Sequence, residues 1–331
     1  MELGPLGMKP WGDVAEGPAE VDTTLDIGIP SRVLAQQGVP PDFAASSDLR
    51  YIHKQLGKTD IYFVANKLTN GTETVCTFRI SGKVPELWWP DTGRIERATS
   101  YEMTKDGTKV PLRFDPSGSV FVVFRETAPG TPAPGGKNWL EFTHAQEISG
   151  PWEVTFDSKW GGPVQPVVFN QLEDWSKRTE EGVRYYSGTA VYRKTFSQNQ
   201  KAESGKQQSR WYLDLGKVAV MAEVKLNDRD LGILWKPPYR VEVTDALKAG
   251  DNVLEIKAVN LWINRQIGDM QLPEDSDRKP NGTLNAWPAW LASGQPSPAG
   301  RYTFTSWRLW KKDDPLVESG LLGPVTIQTA K

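Results

Sequence analysis

The sequence predicts an all-β protein made of two antiparallel β-sandwich domains, and three observations carry that prediction. Along residues 211–260, apolar positions recur in short runs: Leu213, Leu215, Val218 and Val220, then Val224 and Leu226, then Val253, Leu254, Ile256 and Ala258. Turn residues separate the runs, as expected for strands half-buried against a core. The 331 residues include 25 prolines and 30 glycines, a supply suited to many short strands joined by tight turns. Between Ala128 and Lys137 runs Ala-Pro-Gly-Thr-Pro-Ala-Pro-Gly-Gly-Lys, a composition that disfavours regular structure and marks a domain boundary. The length suffices for two cores.

Taken in order, residues 1–47 carry prolines at 5, 10, 18, 30, 40 and 41 and read as an irregular segment, a linker or the remnant of a preceding domain. Ser31 would cap one short helix over about Ser31–Gln37. Residues 48–127 read as a small sandwich. Ile61, Phe63 and Ala65 alternate with Tyr62, Val64 and Asn66, and Asn70-Gly71 signals a hairpin returning through Val75–Ile80. Asp106-Gly107 marks a second hairpin between Tyr101–Thr104 and Val110–Phe114, and Ser119–Arg125 reads as a buried closing strand. Trp88 and Trp89 cannot both point inward on a strand, so one of them is expected at the surface.

Residues 128–147 are expected to be a linker, and residues 148–331 a second, larger sandwich. Its strands begin with Trp152–Asp157 and Tyr185–Phe196. Asn227-Asp228 makes a turn, since both residues tolerate positive φ. Thr244 would cap a helical turn over Asp245–Ala249, and Leu321–Gln328 closes the domain. The stretch from Asn260 to Arg308 is polar, rich in Trp, Pro and Asp, and too long for a hairpin. Long loops on a rigid β-scaffold usually carry function.

Composition also excludes. Lysine plus arginine against aspartate plus glutamate is 39 − 41 = −2, which gives no electrostatic case for nucleic acid or membrane. Cys76 stands alone, so no intramolecular disulfide forms. His53 and His144 are the only histidines, and no His-x-x-x-His or Cys-x-x-Cys spacing suggests zinc. No nucleophile elbow, P-loop or dinucleotide fingerprint occurs. No run of about 20 apolar residues could cross a bilayer, and Met1–Met8 lacks the basic-then-apolar pattern of a signal peptide. Fourteen tryptophans stand out, and their flat faces suit sugar rings as well as cores.

Three blocks carry a family resemblance. The first is Asp60–Asn66 with Pro85–Gly93 and Gly118–Phe124. The second is Ser149–Val154 with Tyr186–Phe196, and the third Asn260–Asp269 with Arg301–Trp307. Together they resemble the C-terminal region of glycoside hydrolase family 106 α-L-rhamnosidases, over about Asp48–Gln328. The Trp211–Asn260 run resembles the family 2-type sugar-binding domain, a jelly roll of the galactose-binding-like type. The resemblance implies that the catalytic carboxylates and an active-site calcium belong to an N-terminal barrel-type domain, normally on the same chain. A barrel needs roughly 200 residues or more, which residues 1–47 cannot supply, so no catalytic residue is carried over. The implied partner is a plant or microbial glycan, rhamnose-containing, and the parent enzyme is expected to be periplasmic or secreted.

Sugar would be held by an aromatic platform flanked by planar polar groups. Asn260, Trp262 and Asn264 would share one face if the strand continued through them, and Trp287 and Trp290 lie in the polar loop. A rival reading is a hydrolase in its own right. It would need two carboxyls roughly 5 to 9.5 Å apart, drawn from separate loops, such as Glu181 and Asp277. A third reading is a structural module that docks on a catalytic domain. An exposed tryptophan patch would favour sugar contact, and a broad apolar patch on a sandwich face would favour docking. The acidic loop Pro273–Asp277 is the candidate for a structural calcium ion.

Overall fold

The computed structural model describes residues 33–128, 136–198 and 210–330, and their regular structure is predominantly β. The chain divides into two compact units, Met1–Leu140 and Glu141–Lys331.

In the first unit, five antiparallel strands form one sheet: β2 (Leu49–Leu56), β3 (Thr59–Asn66), β9 (Ser119–Thr127), β5 (Lys83–Trp89) and β6 (Arg94–Arg97), in that spatial order. Four more form the second: β1 (Phe43–Ala45), β4 (Thr72–Phe78), β8 (Gly107–Phe114) and β7 (Glu102–Thr104). Alternation along each strand decides what is buried. Tyr62, Val64, Val120, Val122 and Phe124 meet Cys76, Phe78, Val110, Leu112 and Phe114 in one core. The Asp106-Gly107 signal holds: Thr104 pairs with Gly107 across a two-residue turn.

The opposite face of the five-stranded sheet carries an apolar row. Register places Ile52 beside Phe63, Phe63 beside Phe121, Phe121 beside Trp88 and Trp88 beside Ile95, one residue from every strand. Ile52 and Ile95, at the two edges, are 59% and 57% exposed. Trp88 donates from Nε1 to Glu86 Oε2 at 3.0 Å, and Arg125 lies over its ring. Trp89 packs against the core, so the two tryptophans divide between the faces.

Several local expectations are corrected. Asn70-Gly71 makes no hairpin, because β3 and β4 lie in different sheets. The crossing is held instead by Asn66, which donates from Nδ2 to the carbonyls of Asn70 and Asp115 and accepts the Leu68 N–H. Phe43–Ala45, expected in the irregular segment, is an edge strand paired with Phe78–Cys76 of β4. Residues 33–36 are helical, while Ser31, the expected cap, lies outside the described residues. Phe142–Glu147, expected in the linker, is a strand of the second unit.

That second unit holds a six-stranded sheet: β12 (Val167–Phe169), β11 (Trp152–Phe156), β13 (Thr189–Gln198), β19 (Gly250–Val259), β16 (Met221–Leu226) and β17 (Arg229–Leu234). A four-stranded sheet comprises β10 (Phe142–Glu147), β21 (Thr326–Ala330), β14 (Arg210–Asp214) and β18 (Arg240–Glu242). β15 (Lys217–Ala219) pairs with β20 (Gly320–Gly323). Trp152, Val154, Tyr192, Leu213, Val224, Ile256 and Ile327 lie in the core between them. Asn227 and Asp228 take φ of 50° and 67°, as the turn requires. Thr244 does not cap a helix. Its Oγ1 accepts the Trp211 N–H at 2.9 Å, and the chain makes only a single turn closed by Leu247 N–H on the Val243 carbonyl.

β20 is stitched to the core by one hydroxyl. Tyr192 Oη accepts from Trp175 Nε1 at 2.5 Å and from the Leu321 N–H at 3.2 Å, all buried. Gly320, at φ +105°, lies against the Trp175 ring, where a Cβ would come within 2.4 Å of Nε1. Tyr192→Phe keeps the ring and strands two buried donors, at about 1–3 kcal/mol each. We therefore expect chemical denaturation to show this variant destabilised by about 2 kcal/mol or more. An unchanged midpoint would refute the role given to the hydroxyl.

Candidate functional site

Between β19 and β20 the chain leaves the sandwich for residues 260–319, and buried hydrogen bonds tie both ends of this excursion together. Asn260 is 7% exposed. Its Oδ1 accepts the Gly188 N–H at 2.9 Å, ending the β13–β19 ladder. Its Nδ2 donates to the Tyr186 carbonyl at 2.9 Å and to Ser319 Oγ at 3.0 Å. Asn264 donates to the same Ser319 Oγ and to the Val317 carbonyl, and its Oδ1 accepts the Val317 N–H. Ser319 also gives its N–H to Asp174 Oδ1 and takes the Trp175 N–H on its carbonyl. On the other side, Ser187 Oγ donates to the Leu261 carbonyl and accepts the Arg265 N–H.

This knot corrects the expected platform. The strand stops at Val259, and Ile263–Asp269 is a helix with Trp262 at its N-cap. Asn260 and Asn264 serve the main chain and do not flank an exposed ring. Trp262 does stay at the surface. It meets Trp160 edge to face, with centroids 5.1 Å apart at 76°, and each ring is 41% exposed. Nearby, Tyr302 lies against Gly161, where a Cβ would fall 2.7 Å from the ring. The Arg265 guanidinium sits 5.2 Å from the Tyr302 centroid and pairs with Asp269 at 3.0 Å.

Residues beyond Tyr302 run past the helix and enclose a cleft. Gln266 and Met270 line it on the helix side, and Phe304, Thr305, Leu309 and Trp310 on the other. Its charged groups are engaged by one another, by hydroxyls or by the main chain. Asp269 Oδ2 accepts the N–H groups of Tyr302 and Thr303 and the Thr303 hydroxyl. Arg301 pairs with Asp275 at 3.4 Å and donates to the carbonyls of Asp269, Leu272 and Pro273. Arg278 donates to Ser276 Oγ and to the carbonyls of Gly282 and Thr305. Arg308 pairs with Glu274 through both terminal nitrogens. Burial alone would push the Glu274 carboxyl up, but hydrogen bonds from Arg308 and Ser276 and the charge of Arg308 outweigh it, bringing the pKa down to about 2.

Trp287 and Trp290 both pack on Phe304, the first tilted at 5.7 Å and 66% exposed, the second edge-on at 5.8 Å. Trp290 also donates from Nε1 to the Asp275 carbonyl. Glu181 opens a one-turn helix, Glu181–Arg184, while Asp277 Oδ1 accepts from Asn285 Nδ2. Among the described residues, no hydrogen bond or ion pair joins Glu181 to Asp277. The calcium expectation meets a donor set already spent: Glu274 on Arg308, Asp275 on Arg301 and Ser297, Asp277 on Asn285. Among the described residues no three acidic, histidine or cysteine side chains converge to hold a metal.

Comparison with known proteins finds two family matches along the chain. Residues 7–103 match the glycoside hydrolase family 106 model, described as alpha-L-rhamnosidase. Residues 170–284 match the glycosyl hydrolase 2 galactose-binding domain-like model. The solved rhamnosidase from Novosphingobium sp. PP1Y aligns with 90% of this chain at TM-score 0.75 and 32% identity. The chain is rhamnosidase-like. It spans 26% of that enzyme. A putative beta-glucuronidase of Formosa agariphila is 46% identical over 180 residues, 54% of this chain and 15% of the relative. The rhamnosidase match reaches back to residue 7, into the stretch expected to be a linker or remnant. The galactose-binding-like match includes the helix Ile263–Asp269 but ends before Tyr302, so only one wall of the rhamnosidase-like chain's cleft falls within it.

Trp160, Gln266, Tyr302, Phe304 and Thr305 were not singled out from the sequence. Only Trp160, followed by Gly161-Gly162, carries a local signal, because the glycines leave room for a ring to lie close to the main chain.

The depressed Glu274 carboxyl has a signed consequence. A lowered folded pKa stabilises above the ordinary value of 4.5 and is lost as pH falls through about 2. Unfolding of the wild type and of Glu274→Gln should therefore differ most above pH 4.5 and converge toward pH 2. A difference that grows on acidification would contradict the pairing.

Proposed function

We propose that this chain is the carbohydrate-binding, accessory β-sandwich region of a rhamnosidase-like glycoside hydrolase, acting on rhamnose-containing glycans. Bond cleavage falls to a barrel-type domain that such enzymes carry on the same chain. One observation carries the reading: nine-tenths of the chain aligns with a rhamnosidase, yet it spans 26% of that enzyme. The galactose-binding-like match over residues 170–284 supports a jelly-roll sugar-binding role for the second unit, as does the exposed Trp160–Trp262 pair. Glycosidic hydrolysis needs two carboxyls facing one bond. Glu181 and Asp277, the pair weighed for an independent hydrolase, serve different local structures.

Incubated with aryl α-L-rhamnosides, the purified chain should release no aglycone above a boiled control. Glu181→Gln and Asp277→Asn should change nothing. Turnover abolished by either substitution would replace this reading with that of an independent hydrolase.

A docking role for the first unit is the second reading, favoured by the apolar row Ile52–Phe63–Phe121–Trp88–Ile95. Its ends, Ile52 and Ile95, are exposed and the three residues between them half-buried, and an apolar row of this kind suits an interaction face. Lysine at both Ile52 and Ile95 should leave the unit folded and abolish its association with a separately produced catalytic domain. Undiminished association would remove docking through this face.

A further inference from the structure

The polar groups of the cleft divide into two sets. Every guanidinium and carboxylate in its walls is bonded to another charged group, a hydroxyl or a main-chain group: Arg301 with Asp275, Arg308 with Glu274, Asp269 with Arg265 and Thr303, Arg278 with two carbonyls. Gln266, Thr305 and Trp310 line the same cleft, and among the described residues their side chains make no hydrogen bond to the protein. What remains for a ligand is a planar amide, a hydroxyl and the indole of Trp310, since the Phe304 ring is already packed by Trp287, Trp290 and Arg278. An amide paired with a ring face matches the hydroxyl pairs and the C–H face of a pyranose. No free charge is left to select an ionic group.

The helix extends this set. Trp262 and Gln266 lie four residues apart, with the Gln266 N–H on the Trp262 carbonyl at 3.0 Å, so they share one side of the helix. One turn rises about 5.4 Å, comparable to the length of a single sugar residue. Trp262, with its partner Trp160, thus lies one helical turn from Gln266 on the same side of the helix.

We propose that the cleft between the helix Ile263–Asp269 and the segment 301–310 binds a neutral pyranose, and that the Trp160–Trp262 pair receives the adjoining unit of the same glycan. The proposal rests on the carbohydrate-binding reading above and gives it a site and a ligand class.

The test titrates the full chain, followed by calorimetry and tryptophan fluorescence, with methyl α-L-rhamnopyranoside and the neutral disaccharide rutinose. Methyl β-D-glucuronide serves as the charged comparison. Saturable binding of the neutral probes is expected, tighter for the disaccharide. Gln266→Ala should weaken both by about tenfold, roughly 1.4 kcal/mol. Trp262→Ala should remove the advantage of the disaccharide and leave the monosaccharide unchanged. The Gln266 side chain makes no hydrogen bond to the protein, so the thermal melt of Gln266→Ala should match the wild type, while Trp262→Ala, which loses the ring contact with Trp160, should melt somewhat lower yet stay folded at the titration temperature. Neutral binding that survives both substitutions would overturn the site and leave the carbohydrate-binding reading standing. Binding of the glucuronide alone would overturn the ligand class. No binding of any probe would overturn both the site and the reading beneath it.

Discussion

The second unit depends on a few hydrogen bonds converging at Ser319. Two asparagine amides, a serine hydroxyl and an aspartate oxygen meet there out of water. Buried amides left unpaired would each cost on the order of 1–3 kcal/mol, so the set is satisfied together or not at all. Through it the helix Ile263–Asp269 is fixed in angle and depth, and with the helix come Trp262 on one turn and Gln266 on the next. The arginine–carboxylate pairs then hold the far wall of the cleft against that helix. Without the knot, the excursion would be a long polar loop with no reason to present any particular surface.

The first unit is organised by a simpler constraint. Strict alternation buries Tyr62, Val64, Val122 and Phe124 and, by the same periodicity, must deliver Phe63, Phe121 and Trp88 to the other face. A five-stranded sheet packed on one side only would ordinarily turn polar residues outward. Here every strand contributes an apolar side chain to the same row. The two units thus offer different chemistries: an apolar sheet face on the first, and on the second aromatic rings beside unpaired hydrogen-bonding groups.

Features fixed by local geometry were legible in the sequence. Asn227-Asp228 and Asp106-Gly107 turn where expected, because their requirements are met within a few residues. Asn70-Gly71 misled because a hairpin and a crossing between sheets share the same local signal, and only the distant pairings of β3 and β4 distinguish them. The run Asn260–Arg265 failed for a related reason. Its alternation continues that of β19, but Gly188, Val317 and Ser319 claim its amides from far along the chain. The surface position of Trp287 was legible because an indole in a polar stretch has little to pack against; that of Trp262, between Leu261 and Ile263, was not. Gln266 and Thr305 were not, since being unpaired is a property of surroundings that no local pattern encodes.

The knot also bears on how this region could change over time. Asn260 and Ser319 stand 59 positions apart yet meet within a single hydrogen bond. What lies between them closes on itself, so its length enters the energetics only weakly, at about 0.6 kcal/mol per doubling. Such a segment behaves as an exchangeable cassette. Shorter, longer or differently lined versions could be grafted between the same two anchors while the sandwich beneath kept its register, separating the diversification of the surface from the inheritance of the scaffold.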